Sequence, residues 1–114
     1  MVAMRDIRKF ARRVAEQFKP RRIILFGSYA YGRPTEDSDV DVMVVMAHRG
    51  HPAKSAGEIL AQCHPGFAVD VLVRSERELK KRYEMEDWFV REIVDKGKIL
   101  YEADHARVGG KGRS

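Results

Sequence analysis

Leu25-Phe26-Gly27-Ser28-Tyr29-Ala30-Tyr31-Gly32, followed after a short link by Asp39-Val40-Asp41, is the stretch on which the fold turns, with ten residues between Ser28 and Asp39. On its N-terminal side, Ile23 to Phe26 is β-rich and halts at once on Gly27-Ser28, which predicts a short buried strand over 21–26 meeting a glycine turn. On its C-terminal side, Val40 to Met46 is almost continuously apolar and rich in β-branched residues. That pattern predicts a central strand covered on both faces. Side chains alternate along a strand, so Asp39 and Asp41 project to the same side at its start.

Upstream, Met4, Ile7, Phe10, Ala11, Val14 and Phe18 recur at three- and four-residue steps, an amphipathic helix that Pro20 closes. Downstream, Lys54 to Cys63 reads as a short helix carrying Ile59 and Leu60, and Phe67 to Val73 as a third strand containing Asp70. Ser75 with Glu78 forms a capping-box signature for a helix carrying Leu79, Tyr83, Val90, Ile93 and Val94, kinked near 84–87 and closed by Gly97. Lys98 to Glu102 predicts a last strand at a sheet edge. Residues 103–114 have three glycines and no period, which predicts a disordered tail after a domain spanning 1–102. The order helix, strand, strand, helix, strand, helix, strand specifies an α/β or α+β sandwich.

At 114 residues the chain has room for one core. Its 44% apolar and 34% charged content excludes disordered and fibrous classes, and no run approaches the ~20 apolar residues of a membrane span. Cys63 is the single cysteine, so no intrachain disulfide forms, and the cytoplasm is the expected location. The Arg-rich N-terminus keeps its helix period into the first strand and reads as belonging to the fold rather than as a transit peptide. Residues 1–22 hold eight Lys or Arg against Asp6 and Glu16 within a net charge of +5. A solvated helix face accounts for this most simply, with a surface for RNA or an acidic protein as the other reading.

If the second and third strands are neighbours, Asp70 joins Asp39 and Asp41 in one acidic cluster. Asp70 sits between Val69 and Val71, where a lone buried carboxylate would be costly, so it is expected to need a partner. Magnesium or manganese relieves such repulsion most simply, and oxygen ligands sharing hard cations suit phosphoryl or nucleotidyl displacement. Gly27 lets backbone approach a phosphate and Ser28 can donate a hydrogen bond, so an NTP's phosphates are expected there. No glycine-rich loop ending in Gly-Lys-Ser or Gly-Lys-Thr is present, which argues against a P-loop NTPase. His48, His51, Cys63 and His64 lack a second matching ligand pair for zinc. Tyr83, Trp88 and Phe89 have helix spacing and are expected in the core. Tyr29 and Tyr31 either line a nucleotide pocket or pack the turn.

Gly-Ser, Asp-x-Asp and a later strand aspartate, in this order over most of residues 4–102, resemble the signature of the DNA polymerase β-type nucleotidyltransferase superfamily. Within it the chain is most similar to the minimal nucleotidyltransferase (MNT) group. The resemblance implies a mixed sheet of about four strands flanked by helices, with Asp39 and Asp41 binding both metals. Asp70 would complete the site and help deprotonate the acceptor hydroxyl. It also implies AMP transfer from ATP, with a hydroxyl on a protein or RNA as the expected acceptor, and a role as antitoxin to a HEPN-domain toxin. Related sequences commonly carry Arg where this chain has Tyr31, so Arg33 or an Arg of the first helix is expected to substitute. Three further readings stand beside this one: a catalytically inactive antitoxin acting by contact, an RNA-binding or RNA-modifying protein, and a homo-oligomer that completes the site.

Overall fold

A computed structural model describes residues 1–103 and contains α1 (Met4–Phe18), β1 (Arg22–Phe26), α2 (Ser28–Tyr31), β2 (Val40–Val45), α3 (Pro52–Cys63), β3 (Val69–Arg74), α4 (Glu76–Glu84), α5 (Trp88–Lys96) and β4 (Lys98–Glu102). The strands form one mixed sheet in the order β3-β2-β1-β4. β1 lies antiparallel to both β2 and β4, and β2 is parallel to β3. Parallel neighbours need a crossover, and α3 supplies it. The expected edge position of β4, the central position of β2 and the β2–β3 pairing all hold.

The sheet separates two apolar cores, which is why β1 and β2 read as nearly unbroken apolar runs. Ile23, Leu25, Val40, Val42, Val44, Val71 and Val73 face α1 and α3, where Ile7, Phe10, Val14 and Ile59 complete the first core. Ile24, Phe26, Met43 and Val45 face the other way, against Leu79 of α4 and Val90 and Ile93 of α5. α1 ends on Lys19, whose left-handed backbone donates its N–H to Ala15 O immediately before Pro20. On the second face the side chains of Arg21 and Arg22 reach Glu76, with Arg22 at 2.8 Å, so the start of β1 anchors the first turn of α4.

Two departures from the sequence expectation bear on the site. The residues after Gly27 close a one-turn helix, α2, which is too short to leave a hydrophobic period in the sequence. The single kinked helix expected after Ser75 is two helices. Ser75 and Glu78 do form the capping box, but the chain breaks at Glu86, where φ is 63°, and Asp87 begins α5 by accepting the Val90 N–H at 3.1 Å. Gly97 ends α5 as expected. Ala103 is buried and donates its N–H to Arg21 O, so the folded chain runs past the expected boundary at 102 to include Ala103. The tail expectation for 104–114 lies outside the described residues.

Candidate active site

All three candidate carboxylates sit at one end of the sheet, with Asp41 and Asp70 on its α4/α5 face. Asp41 and Asp70 are register partners across the parallel β2–β3 pair, so their side chains leave the same face side by side. Asp39 lies two residues before Asp41, in the segment that leads into β2, and is exposed. Parallel pairing thus brings together residues separated by almost thirty positions of chain. The expectation that Asp70 is buried and needs a partner is corrected: it is exposed, because β3 begins at the open end of the sheet, and register rather than desolvation places it beside Asp41.

Asp41 is the most enclosed of the three. Burial pushes its carboxyl above the ordinary carboxylate range, and the charges of Asp70 and then Asp39 push it further. Among the described residues none of the three carboxylates is held by an ion pair with Lys, Arg or His; those charges go instead to Glu76, Glu78 and Asp87. Arg33 makes no such pair, and Arg13 of α1 spends its guanidinium on Cys63 O at 2.8 Å and His64 O at 3.0 Å. Among the described residues, then, neither Arg33 nor an Arg of α1 forms the expected ion pair with the cluster.

The donor set of three unneutralised carboxylates fits a hard divalent cation in kind. The set is open in position, since among the described residues no three His, Cys, Asp or Glu side chains are gathered closely enough to hold an ion. Asp39 and Asp70 are exposed, so their side chains are not locked by packing.

Gly27 joins β1 to this cluster. Its backbone, at φ 73° and ψ −156°, occupies a region that is essentially glycine-only, and a Cβ there would land on Asp41 Oδ2 and 3.1 Å from Asp41 Cγ. The turn therefore presses bare backbone against the carboxylate. Ser28 follows, half-buried at the start of α2, with its backbone O accepting from the Gly32 N–H. The two tyrosines divide: the Tyr29 hydroxyl accepts the Val2 N–H at 3.1 Å and its ring packs on the first core, whereas Tyr31 is exposed.

The remaining candidates resolve by contact. His48 bonds Glu78 at 3.0 Å, His51 caps α3, His64 closes α3 in a left-handed conformation, and Cys63 is buried. The expected core placement of Trp88 and Phe89 is overturned: they are 73% and 44% exposed, and Tyr83 is half-buried. The signal that locates them was present in Asp87, an N-cap residue three before Val90 that starts a new helix and rotates the aromatic pair out of the older period.

Comparison with known proteins bears on the family and the fold. The nucleotidyltransferase domain family matches residues 7–105. A Methanocaldococcus jannaschii protein provisionally named a protein adenylyltransferase is 30% identical over 99 residues, spanning 83% of this chain and 94% of its own. A second protein of that organism, with the same kind of name, is 41% identical over 49 residues, or 43% of this chain and 49% of its own. A chain from a crystal structure of a toxin–antitoxin with AMP-PNP shares the fold, with a TM-score of 0.56 at 22% identity over 85% of this chain and 73% of that one.

Proposed function

Because the chain belongs to the nucleotidyltransferase domain family and is a nucleotidyltransferase, we propose that it moves AMP from ATP onto a hydroxyl of a protein partner. The partner we assign is a HEPN-domain toxin, which makes this chain an antitoxin of the MNT group. The observation that carries the reading is the Asp41–Asp70 register pair with Asp39 beside it and Gly27 backed onto Asp41.

In this reading Asp39, Asp41 and Asp70 hold magnesium or manganese, which when bound neutralises phosphate charge and aligns attacking and leaving oxygens. Gly27 leaves room for the triphosphate to approach backbone, and the Ser28 hydroxyl donates to a phosphate oxygen. Asp70, at the exposed rim, accepts the proton of the incoming hydroxyl. A protein acceptor is favoured by the relatives provisionally named protein adenylyltransferases, and a toxin partner by the toxin–antitoxin structure that shares the fold.

The test is transfer of label from α-labelled NTPs, with magnesium or manganese, to a co-expressed partner, with RNA as the competing acceptor. Covalent label on protein, preferred from ATP and absent in Asp39→Asn/Asp41→Asn, is the expected result. Label on RNA would replace the acceptor class. One observation favours a second reading, a contact-only antitoxin: Tyr31 stands where related sequences carry Arg, and among the described residues no Lys or Arg side chain pairs with the acidic cluster in its place. A chain that neutralises its partner equally well with and without Asp39 and Asp41, and labels nothing, would establish that reading instead.

A further inference from the structure

The acidic end of the sheet does not stop at Asp41. Phe26 is Asp41's register partner across the antiparallel β1–β2 pair, and directly opposed residues share a face. Its ring, only 6% exposed, meets Phe89 edge-on, with centroids 5.7 Å apart and planes at 86°. Asp70, Asp41, Phe26 and Phe89 thus form one row of successive neighbours across β3, β2, β1 and α5, running from charged to aromatic. Trp88, 73% exposed, precedes Phe89 at the first position of α5.

An exposed Trp and Phe in adjacent positions are costly to leave in water, yet the chain fixes them there. Asp87 caps α5 and is held in turn by Arg82 at 3.2 Å, while the positive φ of Glu86 turns the backbone between the helices. The rings are therefore presented from a fixed helix start rather than from a loose loop. A nucleoside triphosphate has the same polarity as the row, with polyanion at one end and a flat aromatic base at the other.

Resting on the nucleotidyl-transfer reading, we propose that Phe89, backed by Phe26 and extended by Trp88, is the platform on which the nucleobase stacks while the phosphates lie at Asp41 and Gly27. Stacking uses the π-face that every base has, so the platform supplies affinity and favours the larger purine face over the pyrimidine one. The rest of the second face supports this placement: the groove of about 670 Å³ between α4 and α5 is lined by Arg22, Glu76, Arg77 and Lys80 and presents no aromatic ring except Tyr83, which is tied to Asp95.

Trp88 is the only tryptophan, so its emission reports on the site directly. The experiment compares binding of ATP and of inorganic tripolyphosphate, with magnesium, to the full chain and to Phe89→Leu, Phe89→Tyr and Trp88→Ala. Calorimetry is used throughout, with Trp88 emission wherever that residue is present. ATP is expected to quench Trp88, whereas tripolyphosphate binds without doing so. Phe89→Leu and Trp88→Ala weaken ATP at least about fivefold without changing tripolyphosphate affinity, and Phe89→Tyr retains ATP affinity. Trp88→Ala, at a position with little packing, keeps the test decisive if Phe89→Leu does not fold. Unchanged ATP affinity in the variants, or equal weakening of tripolyphosphate, overturns the platform and leaves nucleotidyl transfer standing. A wild-type chain that binds neither ligand overturns both.

Discussion

Gly27 and Asp41 are in contact across the end of the β1–β2 pair, so closely that a side chain at Gly27 would occupy the position of the Asp41 carboxylate oxygen. The backbone of Gly27 also has a conformation that other residues adopt only under strain. Gly27→Ala is therefore expected to lower stability by about 1–3 kcal/mol and to abolish transfer by turning Asp41 aside. Urea unfolding and labelled-nucleotide transfer measure the two effects. Wild-type activity in a stably folded Gly27→Ala would remove Gly27 from the site.

Asp41 is ionised at a cost, since burial and two neighbouring carboxylates all disfavour its charge. Asp41→Asn removes that cost, so the variant is expected to melt at or above the wild-type temperature while losing at least about a hundredfold in transfer, the scale of one preorganised electrostatic contact. Magnesium should raise the melting temperature of the wild type, because a ligand bound only by the native state stabilises it, and should leave Asp41→Asn unmoved. Equal magnesium shifts in both proteins would place the metal elsewhere.

His48 and Glu78 form a pH-dependent link between the loop after β2 and the start of α4. The hydrogen bond to Glu78 raises His48 above its ordinary 6.5, and the same bond lowers Glu78 below 4.5. The His48 contribution is complete below pH 6.5 and is lost as pH rises through its higher folded value. The Glu78 contribution is complete above pH 4.5 and is lost as pH falls through its lower folded value. The stability difference between wild type and His48→Ala should therefore peak between pH 4.5 and 6.5. Urea midpoints across roughly pH 3 to 9 are the measurement, and a pH-independent difference would mean that the ion pair contributes nothing.

Gly97 marks a second close approach, this time structural. A Cβ there would collide with Ile93 O and Ile24 Cγ2 and lie 3.0 Å from Leu25 O, while the backbone φ of −66° suits any residue. Gly97→Ala should thus act through overpacking alone and cost about 1–3 kcal/mol. It should also lift α5 from β1 and so loosen the Phe26–Phe89 contact. A change in Trp88 emission in the absence of nucleotide tests that coupling, and an unaltered stability would show that the helix end yields freely.

By itself, the sequence determined the strands and the chemistry they carry. The apolar runs at 23–26 and 40–45, the Gly-Ser turn, the Asp-x-Asp step and the capping box are local patterns, set by side-chain periodicity and by the few residues that turns and caps accept. Asp39, Asp41, Asp70, Gly27 and Ser28 were legible as candidates for that reason. Only tertiary structure decided what stands beside what. The register of β2 on β3 pairs Asp41 with Asp70, and the reversal of Gly27 seats backbone against Asp41. The break at Glu86 turns Trp88 and Phe89 outward against the helical period that had assigned them to the core. The first two relations join segments far apart in the chain, about which a one-dimensional period carries no information; the third is local, and its signal, the Asp87 cap, lies outside the helical period.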